Sequence, residues 1–171
     1  MTSPDISPVM DIPPEWIDYN GHMNMAFYAM LFDRASGIFA KEIGLGPGYA
    51  QARGHTTYTA EIHIRYLREL HLGQKVRVHS WLIDHDAKRL HTWQEIHHPD
   101  GWIAATAETL TLHIDMTGPR VAPFPADIAA RLDAFAAAHG LPERPDGAGR
   151  PIGSPHTGAD MGPDKRPAAT D

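Results

Sequence analysis

Between Trp16 and Tyr28 the chain sets a carboxylate, Asp18, a glycine, Gly21, an imidazole, His22, and an amide, Asn24, within seven positions. An apolar, periodic stretch follows directly. A helix that begins there offers backbone N–H groups without intrahelical partners and about half a positive charge. Those are the parts of an oxyanion hole. A carboxylate beside them can serve as a general base or as a nucleophile. The same residues also suit a purely structural turn, with Asp18 or Asn20 capping the helix and His22 packed against it. Residue type and spacing leave both uses open.

The elements that must hold this segment are legible on either side of it. From Ala26 to Ile43, Phe27, Met30, Leu31, Ala35, Ile38, Phe39 and Ile43 recur at intervals of three and four, which predicts an amphipathic helix. Gly44, Gly46 and Pro47 stop it. A polar loop containing Gly54 is expected next. Residues 57–67 alternate, with Tyr58, Ala60, Ile62, Ile64 and Tyr66 on one side and Glu61, His63 and Arg65 on the other. Further strands are expected over 74–84, 89–97 and 102–115, with a hairpin turn at Pro99-Asp100-Gly101. Residues 126–139 form a final short helix ending at Gly140.

One long helix before an antiparallel meander is an α+β pattern. The links between the later strands are too short for crossover helices, so the sheet is antiparallel and curls around the helix. That arrangement leaves a face or an edge of the sheet in need of a partner, so a homo-oligomer is expected. Residues 1–141 read as the folded domain. In residues 142–171 eleven of thirty positions are Pro or Gly, and the sizeable apolar residues are Ile152 and Met161. Such a segment buries too little surface to offset its ordering entropy, so a disordered tail is expected.

Composition removes several classes of function. The 171 residues suit one domain with its own core. There is no cysteine, which excludes disulfides, thiolate metal sites and a cysteine nucleophile, and fits the cytoplasm. A formal charge of -6 without any basic cluster argues against a nucleic-acid partner. No apolar run nears the ~20 residues of a membrane helix, and no signal-peptide pattern opens the chain. The 12 histidines are many, but their spacing forms no metal box: His91, His97 and His98 fall near Glu95 without an HExxH. No metal is expected.

The run Asp18, Gly21, His22, Asn24 and Tyr28 has the form D-x-x-G-H-x-N-x-x-x-Y. It resembles the signature of the 4-hydroxybenzoyl-CoA thioesterase class of hotdog proteins. Arg65-Tyr66-Leu67-Arg68-Glu69-Leu70 with Leu72-Gly73 resembles the second strand and turn of that family. Ala105-Thr106-Ala107-Glu108 through His113-Ile114-Asp115, then Arg120 and Pro123-Phe124-Pro125, resembles its last strand and exit. The likeness spans roughly residues 10–135. Within the family it is closest to the betainyl-CoA thioesterases of carnitine degradation, through Asp18–Asn24, Tyr66-Leu-Arg-Glu69 and Asp86-Ala-Lys-Arg-Leu-His91. Two positions depart from the wider family: Met25 stands where many relatives carry a second asparagine, and Glu69 where many carry proline.

The resemblance implies a hotdog fold that hydrolyses a small acyl-CoA, with no cofactor beyond the coenzyme A of the substrate. It assigns catalysis to Asp18, which attacks the thioester carbonyl or activates water. Backbone N–H groups at the start of the helix polarise the carbonyl oxygen, His22 and Asn24 brace the loop, and Tyr28 packs against the acyl group. Glu61 is a candidate counter-charge for a cationic acyl group, and Trp81, Trp93 or Trp102 offer aromatic faces to a quaternary ammonium. Arg68, Lys88, Arg89 and Arg120 are candidates to meet the coenzyme A phosphates. A homodimer or homotetramer is implied. Two other readings stay open: a hotdog hydratase or dehydratase pairing Asp18 with His22, and a non-catalytic acyl-CoA-binding dimer.

Overall fold

The computed structural model describes residues 3–141 and 143–152. In chain order the elements are β1 (Asp5–Ile6), β2 (Met10–Asp11), a 3-10 turn (Pro14–Trp16), α1 (Met25–Ile43), α2 (Pro47–Arg53), β3 (His55–Tyr66), β4 (Lys75–His85), β5 (Arg89–His97), β6 (Ile103–Asp115), β7 (Arg120–Val121) and α3 (Ala126–His139). The long strands form an antiparallel sheet in the order β4-β5-β6-β3, with β1 and β2 paired to the outer side of β4 and β7 paired to β6. This is the α+β hotdog architecture expected above: a curved sheet around one long helix.

Helix α1 starts and stops where its sequence dictates. The side chain of Asn24 accepts a hydrogen bond from Ala26 N–H, so Asn24, rather than Asp18 or Asn20, is the N-cap. At the other end Gly44 adopts the left-handed conformation (φ 88°) and donates to Ala40 O, which favours glycine there. The helix lies against small residues of the central strand, Ala105 and Ala107, both fully buried. Their lack of bulk lets the helix approach the sheet closely. Two core clusters result. One gathers Tyr28, Leu31, Phe32 and Ala35 of α1 with Trp16, Met23, Leu70, Val78 and Ile96. The other gathers Phe39 and Ile43 with Tyr49, Leu82, Leu90, Phe124 and Leu132.

Two expectations need correction. The segment after Gly46 is not a polar loop but helix α2, with Pro47 in its first turn, Tyr49 buried, and Arg53 bridging to Asp127 of α3 at 2.7 Å on both guanidinium nitrogens. Seven residues are too few for a helical period to show. In β3 the simple alternation fails because the register shifts between Thr59 and Glu61. This bulge at Ala60 turns Thr57 and Thr59 to the helix side along with Ile62, and leaves Tyr58 half exposed on the other. Residues 143–152 run over the sheet face opposite α1. There Gly149 N–H donates to the Glu108 carboxylate at 2.6 Å, and Gly147 sits beside the Trp93 ring. The remainder of the tail, residue 142 and 153–171, lies outside the described residues.

Candidate active site

A tight turn carries Asp18. Gly21 N–H donates to Asp18 O at 3.0 Å, and Gly21 takes φ +82°, which a side chain would strain. An Ile17–Met23 bridge closes the turn, and Met23 N–H donates to Leu70 O at 2.7 Å, tying it to the loop after β3. The Asp18 carboxylate accepts Asn20 N–H at 2.8 Å on one oxygen and the Asn24 side-chain amide at 3.1 Å on the other. These bonds, the backbone one foremost, hold its pKa below the usual carboxylate value. It is therefore ionised at neutral pH, and with two of about four acceptor positions used, it retains free lone pairs.

Asn24 thus has two duties. Its amide holds Asp18 while its side-chain oxygen caps Ala26 N–H. Phe27 N–H is met by Asn24 O at 3.0 Å. In the first turn of α1 this leaves Met25 N–H with no hydrogen-bond partner among the described residues. One free N–H at a helix start, next to an ionised carboxylate, can polarise a carbonyl oxygen while the carboxylate or an activated water attacks its carbon.

The other expected residues fall into two groups. His22 lies in the same turn, but its ring nitrogens make their contacts with groups other than Asp18. Nδ1 is 3.5 Å from Met23 O and Nε2 is 3.7 Å from Glu69. Tyr28 is buried, and its hydroxyl accepts Leu70 N–H at 3.1 Å and donates to Arg68 O at 3.5 Å. Arg68 sits on that loop with its guanidinium 4.2 Å from the centre of the Trp102 ring. Glu61 does not join this group. It lines a cavity of about 490 Å³ on the opposite face of the sheet, with His63, His91, Glu108 and residues 149–152. Lys88 and Arg89 lie at the β4–β5 turn, where Arg89 pairs with Asp86, and Arg120, the first residue of β7, pairs with Asp115 at 3.0 Å across the β6–β7 turn. Those turns adjoin the far end of α1, about 28 Å along a 19-residue helix. Trp81 and Trp93 also belong to the face away from α1, with Trp93 N–H bonded to Glu95.

Three features were not anticipated. Met25 serves through its backbone, which residue type does not advertise. Tyr66 and Glu69 meet the Asp18 turn from far along the chain: the Tyr66 hydroxyl donates to Met25 O at 3.4 Å, and Glu69 faces His22. A cavity of about 440 Å³ beneath α1 is lined by Phe32 of the first core cluster and Phe39, Leu45 and Leu90 of the second. Hydroxyls of Ser80, Thr92 and Thr109 line it, and the Thr109 hydroxyl has no partner among the described residues. Among the described residues no three metal-binding side chains converge, and no helix is long and apolar enough to cross a membrane.

The profile of the thioesterase-like superfamily matches residues 12–132. The betainyl-CoA thioesterase of Pseudomonas aeruginosa is 41% identical over 143 residues, covering 83% of this chain and 90% of that protein. The L-carnitine dehydrogenase/betainyl-CoA thioesterase of Rhizobium meliloti is 42% identical over 139 residues, 81% of this chain but 28% of that longer protein. A Staphylococcus aureus protein solved in complex with CoA superposes with a TM-score of 0.84 at 28% identity, covering 91% of this chain and 98% of that one.

Proposed function

This chain belongs to the thioesterase-like superfamily, and from that premise we propose that it hydrolyses a small acyl-CoA thioester, betainyl-CoA foremost, to the free acid and coenzyme A. The observation that carries this reading is the pairing of an ionised Asp18 with the free Met25 N–H across one turn. The thioester oxygen accepts the Met25 N–H. Asp18 either adds to the carbonyl carbon or takes a proton from the water that does. Collapse of the tetrahedral intermediate expels the coenzyme A thiolate, and the helix N-terminus stabilises the negative charge on oxygen in between. Where water attacks, the free acid forms in that step; where Asp18 attacks, the acyl group stays on its carboxylate as an anhydride until water hydrolyses it to the free acid and restores Asp18. No cofactor takes part. A coenzyme A ester as substrate and a chain free of cysteine both favour the cytoplasm.

Strand β3 is an edge of the sheet with Thr59, Ala60, Glu61 and Ile62 exposed. Unpaired edge groups of this kind support assembly with a second copy, as a homodimer or, by further pairing, a homotetramer. Antiparallel pairing of β3 with its own copy carries the far end of one subunit to the Asp18 end of the other. Lys88, Arg89 and Arg120, distant from Asp18 in one chain, then come within range of the coenzyme A phosphates beside Arg68.

The test is thiol release from acetyl-, betainyl- and longer acyl-CoAs, read with a thiol reagent against a protein that contributes no thiol of its own. Turnover of a short acyl-CoA is expected, and no release from any of them would end the proposal. For the assembly, activity should fall with dissociation on dilution; a proven monomer with full activity would contradict a shared site.

A further inference from the structure

The start of α1 is flanked by a carboxylate and an aromatic ring that the hydrolytic step leaves unused. Both come from the segment that leaves β3. Leu67 N–H and Arg68 N–H converge on Ala104 O, Leu70 N–H is held by the Tyr28 hydroxyl, and Leu70 O accepts Met23 N–H. His71 Nδ1 lies 3.3 Å from Gly21 O on the same turn. Tyr66 and Glu69 are thereby fixed against the turn that carries Asp18.

Tyr66 keeps a half-exposed ring, braced edge-to-face on Tyr28 at 5.2 Å, and its hydroxyl donates to the carbonyl of Met25. Met25 is the residue whose N–H is free for the thioester oxygen. Glu69 is 64% exposed at its side chain, and its neighbours are two imidazoles, His22 at 3.7 Å and His71 at 4.0 Å. No lysine or arginine meets it among the described residues; the adjacent Arg68 lies over Trp102 instead. A carboxylate and a half-exposed aromatic ring, held by one segment beside the start of α1, are what a quaternary ammonium requires. In an acyl group whose quaternary nitrogen is two bonds from the carbonyl carbon, that nitrogen lies about 2.5 Å beyond it. It therefore falls at the first turn of α1, within reach of this pair and far from Glu61.

We propose that Glu69 and Tyr66 form the subsite that selects a cationic acyl group over a neutral one of the same shape. This deepens the thioester-hydrolysis reading and rests on it for the position of the carbonyl. The test compares betainyl-CoA with 3,3-dimethylbutanoyl-CoA, its uncharged isostere. Glu69→Gln should lower kcat/KM for betainyl-CoA about 3- to 10-fold and leave the neutral ester within twofold. Tyr66→Leu should erode the preference in the same direction, while Tyr66→Phe, which keeps the ring, preserves it. A role confined to bracing the loop would move both esters equally, and that result would overturn the subsite. The same preference is read as a ratio of Kd values by titration calorimetry in the Asp18→Asn background, where turnover should be slowed by roughly 10²–10⁴. Loss of the binding preference on Glu69→Gln there supports the subsite even if thiol release never appears, and an unchanged ratio refutes it while leaving the hydrolytic reading intact.

Discussion

Replacing Tyr28 with phenylalanine removes a single oxygen from a buried ring. Its hydroxyl meets Leu70 N–H at 3.1 Å, and Leu70 is fully buried, so water cannot take over that bond. The edge-to-face contact with Tyr66 and the packing against the first core cluster survive, because the ring stays. The cost is therefore that of one orphaned buried donor, about 1–3 kcal/mol. The longer contact to Arg68 O, at 3.5 Å, adds little. For a chain of this size each kcal/mol lowers Tm by about 2–4 °C, so a drop of about 2–12 °C is expected. Hydrogen exchange supplies the local readout: the Leu70 amide should lose protection while the amides of β5 and β6 keep theirs. Since this loop also carries Arg68 and Glu69, KM for acyl-CoA should rise more than kcat falls. A Tm within 1 °C of the parent, with Leu70 still protected, would refute the role given to this hydroxyl.

The remaining expectations follow from other parts of the site and fold. Asn24→Asp keeps a side-chain oxygen for the helix cap but sets a second carboxylate against Asp18, so folding stability should hold while the acid limb of the pH–rate profile moves to higher pH. His113 is buried between the Tyr49 hydroxyl and Ala122 O, each at 2.8 Å, and burial lowers its pKa below 6.5. The unfolded chain then binds the proton more readily, so this contribution to stability is complete above about pH 6.5 and is lost as pH falls through 6.5 toward the folded pKa. His79, lowered first by burial and then by His97, acts with the same sign, and His113→Asn should flatten the acid side of a Tm-versus-pH curve without removing its slope entirely. Removing residues 142–171 should red-shift tryptophan emission by uncovering Trp93 and leave kcat unchanged, because the covered face is the one away from Asp18; a fall in kcat would tie the tail to the site.

Much of the fold was legible because long elements announce themselves. Helix α1 and four of the strands fall within two residues of where periodicity places them. The failures have local causes. Helix α2 is shorter than two full turns, and the two-residue strands β1, β2 and β7 carry no period at all. The bulge at Ala60 cannot be read from alternation, which is what it interrupts. Of the site, the Asp18-to-Tyr28 run was visible as chemistry, and its resemblance to a family gave it direction. What stayed hidden was which residue caps the helix, since Asp18, Asn20 and Asn24 are all good caps, and therefore which backbone N–H is left free. Tyr66 and Glu69 were hidden because long-range contacts, among them Met23 N–H to Leu70 O and His71 to Gly21 O, bring their loop to Asp18.

Whether Asp18 performs the chemistry is decided by Asp18→Asn. Asparagine preserves size and an oxygen that can accept Asn20 N–H, and Asp18 is not the cap of α1, so the fold should persist. What disappears is the negative charge and the basicity. Measured by thiol release under saturating betainyl-CoA, kcat should fall by roughly 10²–10⁴, with Tm and Kd for the acyl-CoA close to those of the parent. A folded Asp18→Asn protein that keeps more than a few per cent of the parent kcat would contradict the account.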